Sequence, residues 1–290
     1  MDSTFTVGID RRDQITYAAR VRTGSGRPQI MALARSAGED LVNHSLLQDG
    51  ELVFSVPDSE VMVHRFALES EDKTEFDLRT RFELAHCLLD DEAEFVYDTV
   101  PGDSPRCCLG MVMRRKRLDT LMPARYPGLY LGPQLGPCRP RGVALGYGYL
   151  GFCRPAGGEF VCLADFAAHQ ASLCFVYKGR VIGTGYLGND HLNIEDAAGL
   201  RRLGIEFKTV VSFQSASLFE RGVSVPLSRI LITGDASGRI AEELAGHFTA
   251  QVDRPRINPG FFSDPARTPD RPLGDYLVAL GLTIEEGQIQ

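Results

Sequence analysis

Residues 4–13, Thr-Phe-Thr-Val-Gly-Ile-Asp-Arg-Arg-Asp, and residues 159–168, Glu-Phe-Val-Cys-Leu-Ala-Asp-Phe-Ala-Ala, deliver the same pattern twice. In each, an apolar run (Phe5, Val7, Ile9; Phe160 to Leu163) stops at an aspartate, Asp10 or Asp165, and the chain turns into two further strand-like runs. Alternation with period two marks a strand half-buried on one face, and a short continuous apolar run marks one buried on both. The first copy continues through Ile15–Arg20 and Ile30–Ala34, with Gly24-Ser25-Gly26 at its second turn. The second continues through Ser172–Tyr177 and Arg180–Tyr186, joined by the two-residue turn Lys178-Gly179. A three-stranded meander used twice implies a duplicated α/β architecture with one copy in each half.

Between the copies, Glu51–Val56 reads as a strand, Pro57-Asp58-Ser59 as a turn and Val61–Leu68 as the hairpin partner of that strand. From Thr74 to Leu89, Phe76, Phe82, Ala85 and Leu89 recur at helical spacing with charged residues on the other faces. Phe95–Val100 and Leu109–Met113 are two more strands, and Leu118–Ala124 a helix, so residues 52–124 form a small β-α module inserted in the first half. Gly and Pro punctuation from Tyr126 to Gly158 marks the junction of the halves, and within it Val143–Phe152 reads either as a short helix or as a buried strand. Further on, Ile205–Phe219 is a helix with Phe207, Val211 and Leu218 on one side. Arg229–Thr233 is a strand ending at the turn Gly234-Asp235, a helix carries Ile240, Leu244 and Phe248, and Gly274–Leu282 closes the folded part as an apolar helix. The expected domains are 1–155, containing the insertion 52–124, and 156–290, with the closing helix packing back toward the first.

A chain of 290 residues with 43% hydrophobic and 24% charged content has enough apolar material for two packed domains. A net charge of −7 disfavours a nucleic-acid surface, because phosphate binding needs clustered, uncompensated Lys and Arg. The one basic run, Arg114-Arg115-Lys116-Arg117, precedes Leu118 and Leu121 and reads as a solvated helix start. No stretch approaches the roughly 18 consecutive apolar residues of a membrane helix, and the expected location is the cytoplasm. The seven cysteines are scattered without C-x-x-C spacing and read as small buried hydrophobes, so no metal site is expected. His64, His86, His169, His191 and His247 have no carboxylate partner at a spacing that marks a site.

Several short segments, in this order, resemble the actin-like proteins and within them the PilM family of type IV pilus assembly proteins, relatives of FtsA. They are Val7-Gly8-Ile9-Asp10, Phe54-Ser55-Val56-Pro57-Asp58-Ser59, Leu163-Ala164-Asp165 followed by Gly179-Arg180-Val181, Ile230 to Gly234, and Val278-Ala279-Leu280-Gly281-Leu282. The resemblance implies an actin-like (ribonuclease H-like) two-domain fold with an inserted subdomain used for protein contacts. It also implies a cleft in which two glycine-containing hairpins cradle phosphates while the two strand-end aspartates hold hydrated Mg.

Against that pattern, Arg11 stands in place of an aliphatic residue and Arg12 in place of the turn glycine, while Phe166, Ala167 and Ala168 give the second hairpin neither flexibility nor charge. In Thr233-Gly234-Asp235 an Asp replaces the second glycine of the adenosine turn. Asp10, Arg11, Arg12, Asp165 and Gly234 are thus the candidate remnants of a nucleotide cleft, with no catalytic residue, no resident cofactor expected and Mg-ATP disfavoured. The implied role is a scaffold without ATPase activity, recruited to the inner face of the membrane by a PilN-like cytoplasmic tail and other platform components. The alternatives are an ATPase or sugar-kinase relative with an unusual site, and a self-associating filament former.

Overall fold

The computed structural model describes residues 4–24, 27–37, 45–67, 78–79, 82–83, 94–127, 129, 137–153, 155, 157–168, 170–188, 196–220, 225–234, 237–264 and 272–285, except 102–106. The helix read over Thr74–Leu89 falls almost wholly outside them, as do Asp235, His86, His169 and His191. Along the chain run β1 (Thr4–Arg12), β2 (Ile15–Thr23), β3 (Gln29–Ala37), β4 (Glu51–Val56), β5 (Met62–Ala67), β6 (Phe95–Pro101) and β7 (Cys107–Arg114). Helix α1 (Arg115–Arg125), β8 (Cys138–Pro140) and helix α2 (Arg141–Phe152) lead into the second half. There follow β9 (Phe160–Phe166), β10 (Gln170–Tyr177), β11 (Arg180–Gly188), α3 (Ala197–Glu220), β12 (Arg229–Gly234), α4 (Ser237–Ala245), β13 (Gln251–Asp253) and α5 (Leu277–Leu282).

The two halves repeat one topology. The first sheet has the order β3-β2-β1-β4-β8 and the second β11-β10-β9-β12-β13. In both, an antiparallel meander is extended by a strand that runs parallel to its first member. Two hairpin turns are tight: Asp13, with φ 52°, lies between β1 and β2, and Lys178 and Gly179, between β10 and β11, both take positive φ, the conformation that matches strand twist in a two-residue turn.

Two expectations change. Glu51–Val56 does not form a hairpin with the following strand: β4 runs parallel to β1 and β8 in the first sheet, and a short 3-10 turn at Asp58–Glu60 sends β5 into a separate sheet of order β5-β7-β6. β4 is buried at four successive positions, so it needs strand neighbours on both edges rather than a solvent-facing hairpin partner. The ambiguous stretch Val143–Phe152 is a helix, and eleven of the twelve residues of α2 are buried. A helix apolar on every side belongs in a core. The basic run behaves as read, with Arg114 to Arg117 exposed at the start of α1.

Helices α2 and α5 lie between the two sheets. α2 packs on β10 and β11, α5 on β1 and β2, and the helices pack on each other. All six residues of α5 are buried, and each large aliphatic side chain there contributes about 1.5–3 kcal/mol of transfer free energy. Their backbones nearly touch: a Cβ on Gly281 would sit 1.7 Å from the Ala144 carbonyl oxygen, and one on Gly148 would sit 2.0 Å from that of Leu277. Likewise a Cβ on Gly8 would come within 1.9 Å of the Ala279 oxygen, so β1 and α5 are in the same close register.

Gly281→Ala is therefore expected to lose about 3 kcal/mol or more in urea unfolding, since backbone cannot swing aside as a side chain does. Gly24→Ala, where nothing lies within 4 Å, is expected to leave the midpoint unchanged.

Candidate functional site

The C-terminal ends of β1 and β9 face each other across the middle of the molecule. Because side chains alternate along a strand, Asp10 and Arg12 of β1 point into this junction while Arg11 points away. Asp165, at the equivalent place on β9, faces them. The fourth member comes from the first residue of α2, Arg141. All four side chains are fully buried, at 1% exposure or less.

Each arginine touches both aspartates. Arg12 Nε donates to Asp10 Oδ2 at 3.1 Å and its Nη1 lies 3.2 Å from Asp165 Oδ1. Arg141 Nη2 donates to Asp165 Oδ2 at 2.5 Å, and its Nε lies 3.0 Å from Asp10 Oδ1. The two positive and two negative charges balance. Only a planar guanidinium with several fixed donors bridges two carboxylates in this way.

The surrounding polar groups complete the cluster and repeat across the duplication. Ser55 on β4 donates to Asp10 Oδ1 at 2.6 Å, and Thr233 on β12 reaches Asp165 Oδ1 at 2.8 Å. In each sheet the hydroxyl comes from the parallel strand next to the aspartate. Tyr126, just after α1, lies 2.8 Å from Ser55 Oγ, and Arg12 Nη2 donates to the Asp275 carbonyl at 2.5 Å while its guanidinium sits 4.4 Å from the Tyr17 ring centroid. Asp58 accepts the Gly142 amide through both oxygens, at 2.8 and 3.1 Å. It thereby caps the N-terminus of α2, where an anion is favoured and the positive Arg141 needs the anions beside it.

Burial works against every charge here; the partners outweigh it at Asp10, Arg12 and Arg141, whereas at Asp165 burial outweighs Arg12, Arg141 and the Thr233 hydroxyl and raises the carboxyl. For Asp10, burial pushes upward, but Arg141, Arg12 and the Ser55 hydroxyl bring its carboxyl down to about 2. For Arg12, burial works against the charge, yet Asp165 and Asp10 hold it above its ordinary value; Arg141 is likewise raised. Asp58 goes the other way: burial outweighs Ser172, Gly142 and Arg141 and pushes it up to about 6.

The sequence candidates therefore divide. Asp10, Arg12 and Asp165 come together. Arg11 does not join them: its guanidinium donates to the Arg125 carbonyl at 2.6 Å, covering the C-terminal end of α1, and to the Asp13 carbonyl at 3.1 Å. Gly234 ends β12 beside the cluster with φ 90°, its amide 3.3 Å from Asp275 Oδ1, and a Cβ there would meet the Phe166 oxygen at 2.0 Å. Arg12 is a strand residue aimed inward rather than a turn residue, so the anions it attracts are the chain's own. Arg141, Tyr126 and Asp275 escaped the sequence reading as site residues, and Ser55, Asp58 and Thr233 stood there only within the segments that carry the resemblance. The usable signal was a single charge opening an otherwise uncharged, glycine-rich segment, Arg141 to Phe152. His247 also differs from expectation, since its Nε2 lies 3.1 Å from Glu243 Oε1 one helical turn back.

An actin-like cleft would carry Mg-ATP, and the residues present do not fit it. The aspartates that would face hydrated Mg are each engaged by two guanidinium groups, so a divalent cation would meet two fixed positive charges in a water-excluded space.

No protein-family model matches the chain, and no curated protein matches it in sequence. Its fold is nonetheless that of the actin-like ATPases. It is similar over 98% of its length, and 97% of the other chain's, to a Bacteroides thetaiotaomicron protein with actin-like ATPase fold and unknown function, at TM-score 0.51 and 10% identity. It is similar over 100% of both chains to a structure from a PilM-PilN type IV pilus biogenesis complex, at TM-score 0.63 and 16% identity. The fold class read from the repeated meander is the one observed.

Two outcomes are expected. Arg141→Met leaves two buried carboxylates facing one guanidinium and should cost ~3–5 kcal/mol in chemical denaturation. Asp58 has a folded pKa of about 6 against an ordinary 3.8, so its contribution to stability is greatest below pH 3.8 and is lost as pH rises through 6, by roughly 3 kcal/mol. In Asp58→Asn the urea midpoint should lose that dependence between pH 4 and 6, while the loss of stability below pH 3.8 that comes from Asp10 remains.

Proposed function

We propose that this chain is a non-catalytic, actin-like scaffold of a type IV pilus or related secretion assembly platform. It works in the cytoplasm at the inner face of the membrane by holding the cytoplasmic tail of a PilN-like membrane protein. The observation that carries the proposal is the arginine-filled junction: the two aspartates on which the fold's nucleotide chemistry depends are neutralised from within the chain. Supporting it is the likeness in fold, over the full length of both chains, to a structure whose subject is a complex between PilM and PilN. No helix of the described residues is long and apolar enough to cross a membrane.

The tail is best accommodated where the small sheet meets the first half. A cavity of about 260 Å³ opens there, lined by Val56, Val61, Val96, Met111, Leu118 and Pro140 among others, with Tyr97 and Asp98 at the same wall. Val96, Tyr97 and Asp98 belong to β6, an edge strand of its sheet. An extended peptide laid along such an edge gains main-chain hydrogen bonds while alternate side chains enter apolar pockets. The net charge of −7 and the position of Asp98 favour a basic tail.

Two measurements test the reading. Millimolar Mg-ATP is expected to leave the melting temperature unchanged, because a ligand that binds the native state must raise it; a Mg-dependent rise defeats the non-catalytic assignment. A labelled basic, apolar-rich leader peptide from a neighbouring single-span membrane protein is expected to bind, and Val96→Arg to weaken it at least ten-fold without changing the melting temperature. Equal binding by the variant removes β6 from the site.

A further inference from the structure

We infer that Arg12 and Arg141 act as an internal ligand: they clamp the two halves in one closed arrangement, presetting the inter-lobe angle that a bound molecule would otherwise set. The inference rests on the proposed reading of a cleft without nucleotide and extends it from a lost activity to a conformational device.

The geometry supports this through the origin of each contact. Asp10 and Arg12 come from the first sheet and Asp165 from the second, so the Arg12–Asp165 ion pair at 3.2 Å spans the junction directly. Arg141 starts the helix sandwiched between the sheets and binds one aspartate from each half, at 3.0 and 2.5 Å. The hairpin turns are tied as well: the Ala168 amide in the second half donates to Asp13 Oδ2 in the first at 3.3 Å. Thr233 Oγ1, 2.8 Å from Asp165 Oδ1, is also 3.0 Å from the Gly274 carbonyl, which anchors the segment leading into α5.

Opening the halves would break the Arg12–Asp165 ion pair and one of the two that Arg141 makes, contacts that at 1% exposure or less have little access to salt. Removing one member of such a cluster strands its opposite charge, so the closed state is all-or-none at this point rather than gradually deformable.

The test is amide hydrogen exchange of the ligand-free protein and Arg141→Met, read residue by residue. At least ten-fold faster exchange at Ala168 and Gly234, with Leu173 and Leu231 in the strand interiors unchanged, is the expected result. No change at the two turn amides, or an equal acceleration at all four, overturns the clamp. Should Arg141→Met fail to fold, Arg141→Lys takes its place: it keeps the charge but cannot bridge two carboxylates with a planar fork, and the same two patterns decide. A thermal shift of the wild-type protein with Mg-ATP would count against the functional reading alone, since both proteins in the exchange comparison are ligand-free.

Discussion

Four charges with no access to solvent hold the centre of this molecule, and everything around them is arranged to make that tolerable. Taking charged groups out of water costs several kcal/mol each, so an isolated Asp10 or Asp165 at this depth would give up its charge. Two arginines supply the opposing charge, Ser55 and Thr233 supply hydroxyls, and the Asp275 carbonyl takes a remaining Arg12 donor. The strands β1 and β9, the helix start at Arg141 and the segment before α5 are thereby fixed relative to one another. Apolar packing of α2 and α5 between the sheets surrounds these charges.

The duplication explains why the cluster can close. Each half presents an aspartate at the end of its first strand and a hydroxyl from the neighbouring parallel strand, so the two halves offer equivalent negative sites. The arginines are not equivalent: one extends β1 and the other opens a helix that belongs to the interface itself. Symmetry supplies the carboxylates, and two asymmetric substitutions supply the cations. The likeness in fold to the actin-like proteins lies in this duplication, with an aspartate at the end of each first strand.

Much of this was legible in the residues. Strands β1, β2, β9, β10 and β11 announce themselves by alternation or by unbroken apolar runs, and the Lys178-Gly179 turn fixes one hairpin register. Asp10, Arg12 and Asp165 stand out because polar residues end apolar strands. What period and propensity do not encode is pairing over long separations. β4 looks like half of a local hairpin until β8, more than eighty residues later, takes its other edge. Arg141 precedes a stretch that reads equally as helix or buried strand, and only the three-dimensional structure shows that its partners lie on strands from opposite halves. Arg11 and Arg12 are adjacent in sequence, yet a strand sends them to opposite faces, so one covers a helix end and the other enters the core.

The close seating of α5 against β1 sets an order on biosynthesis. Residues 277–282 cover the inner face of a sheet whose first strand is Thr4–Arg12, so that face stays open until almost the whole described chain has been made. Tyr17, Ala19, Val21 and Val53, which share a buried apolar cluster with residues 277–280, are meanwhile left to transient collapse or chaperones, because an uncovered apolar sheet is prone to stick to its neighbours. The segment that looks peripheral in sequence is thus the one that covers the inner face of the first sheet.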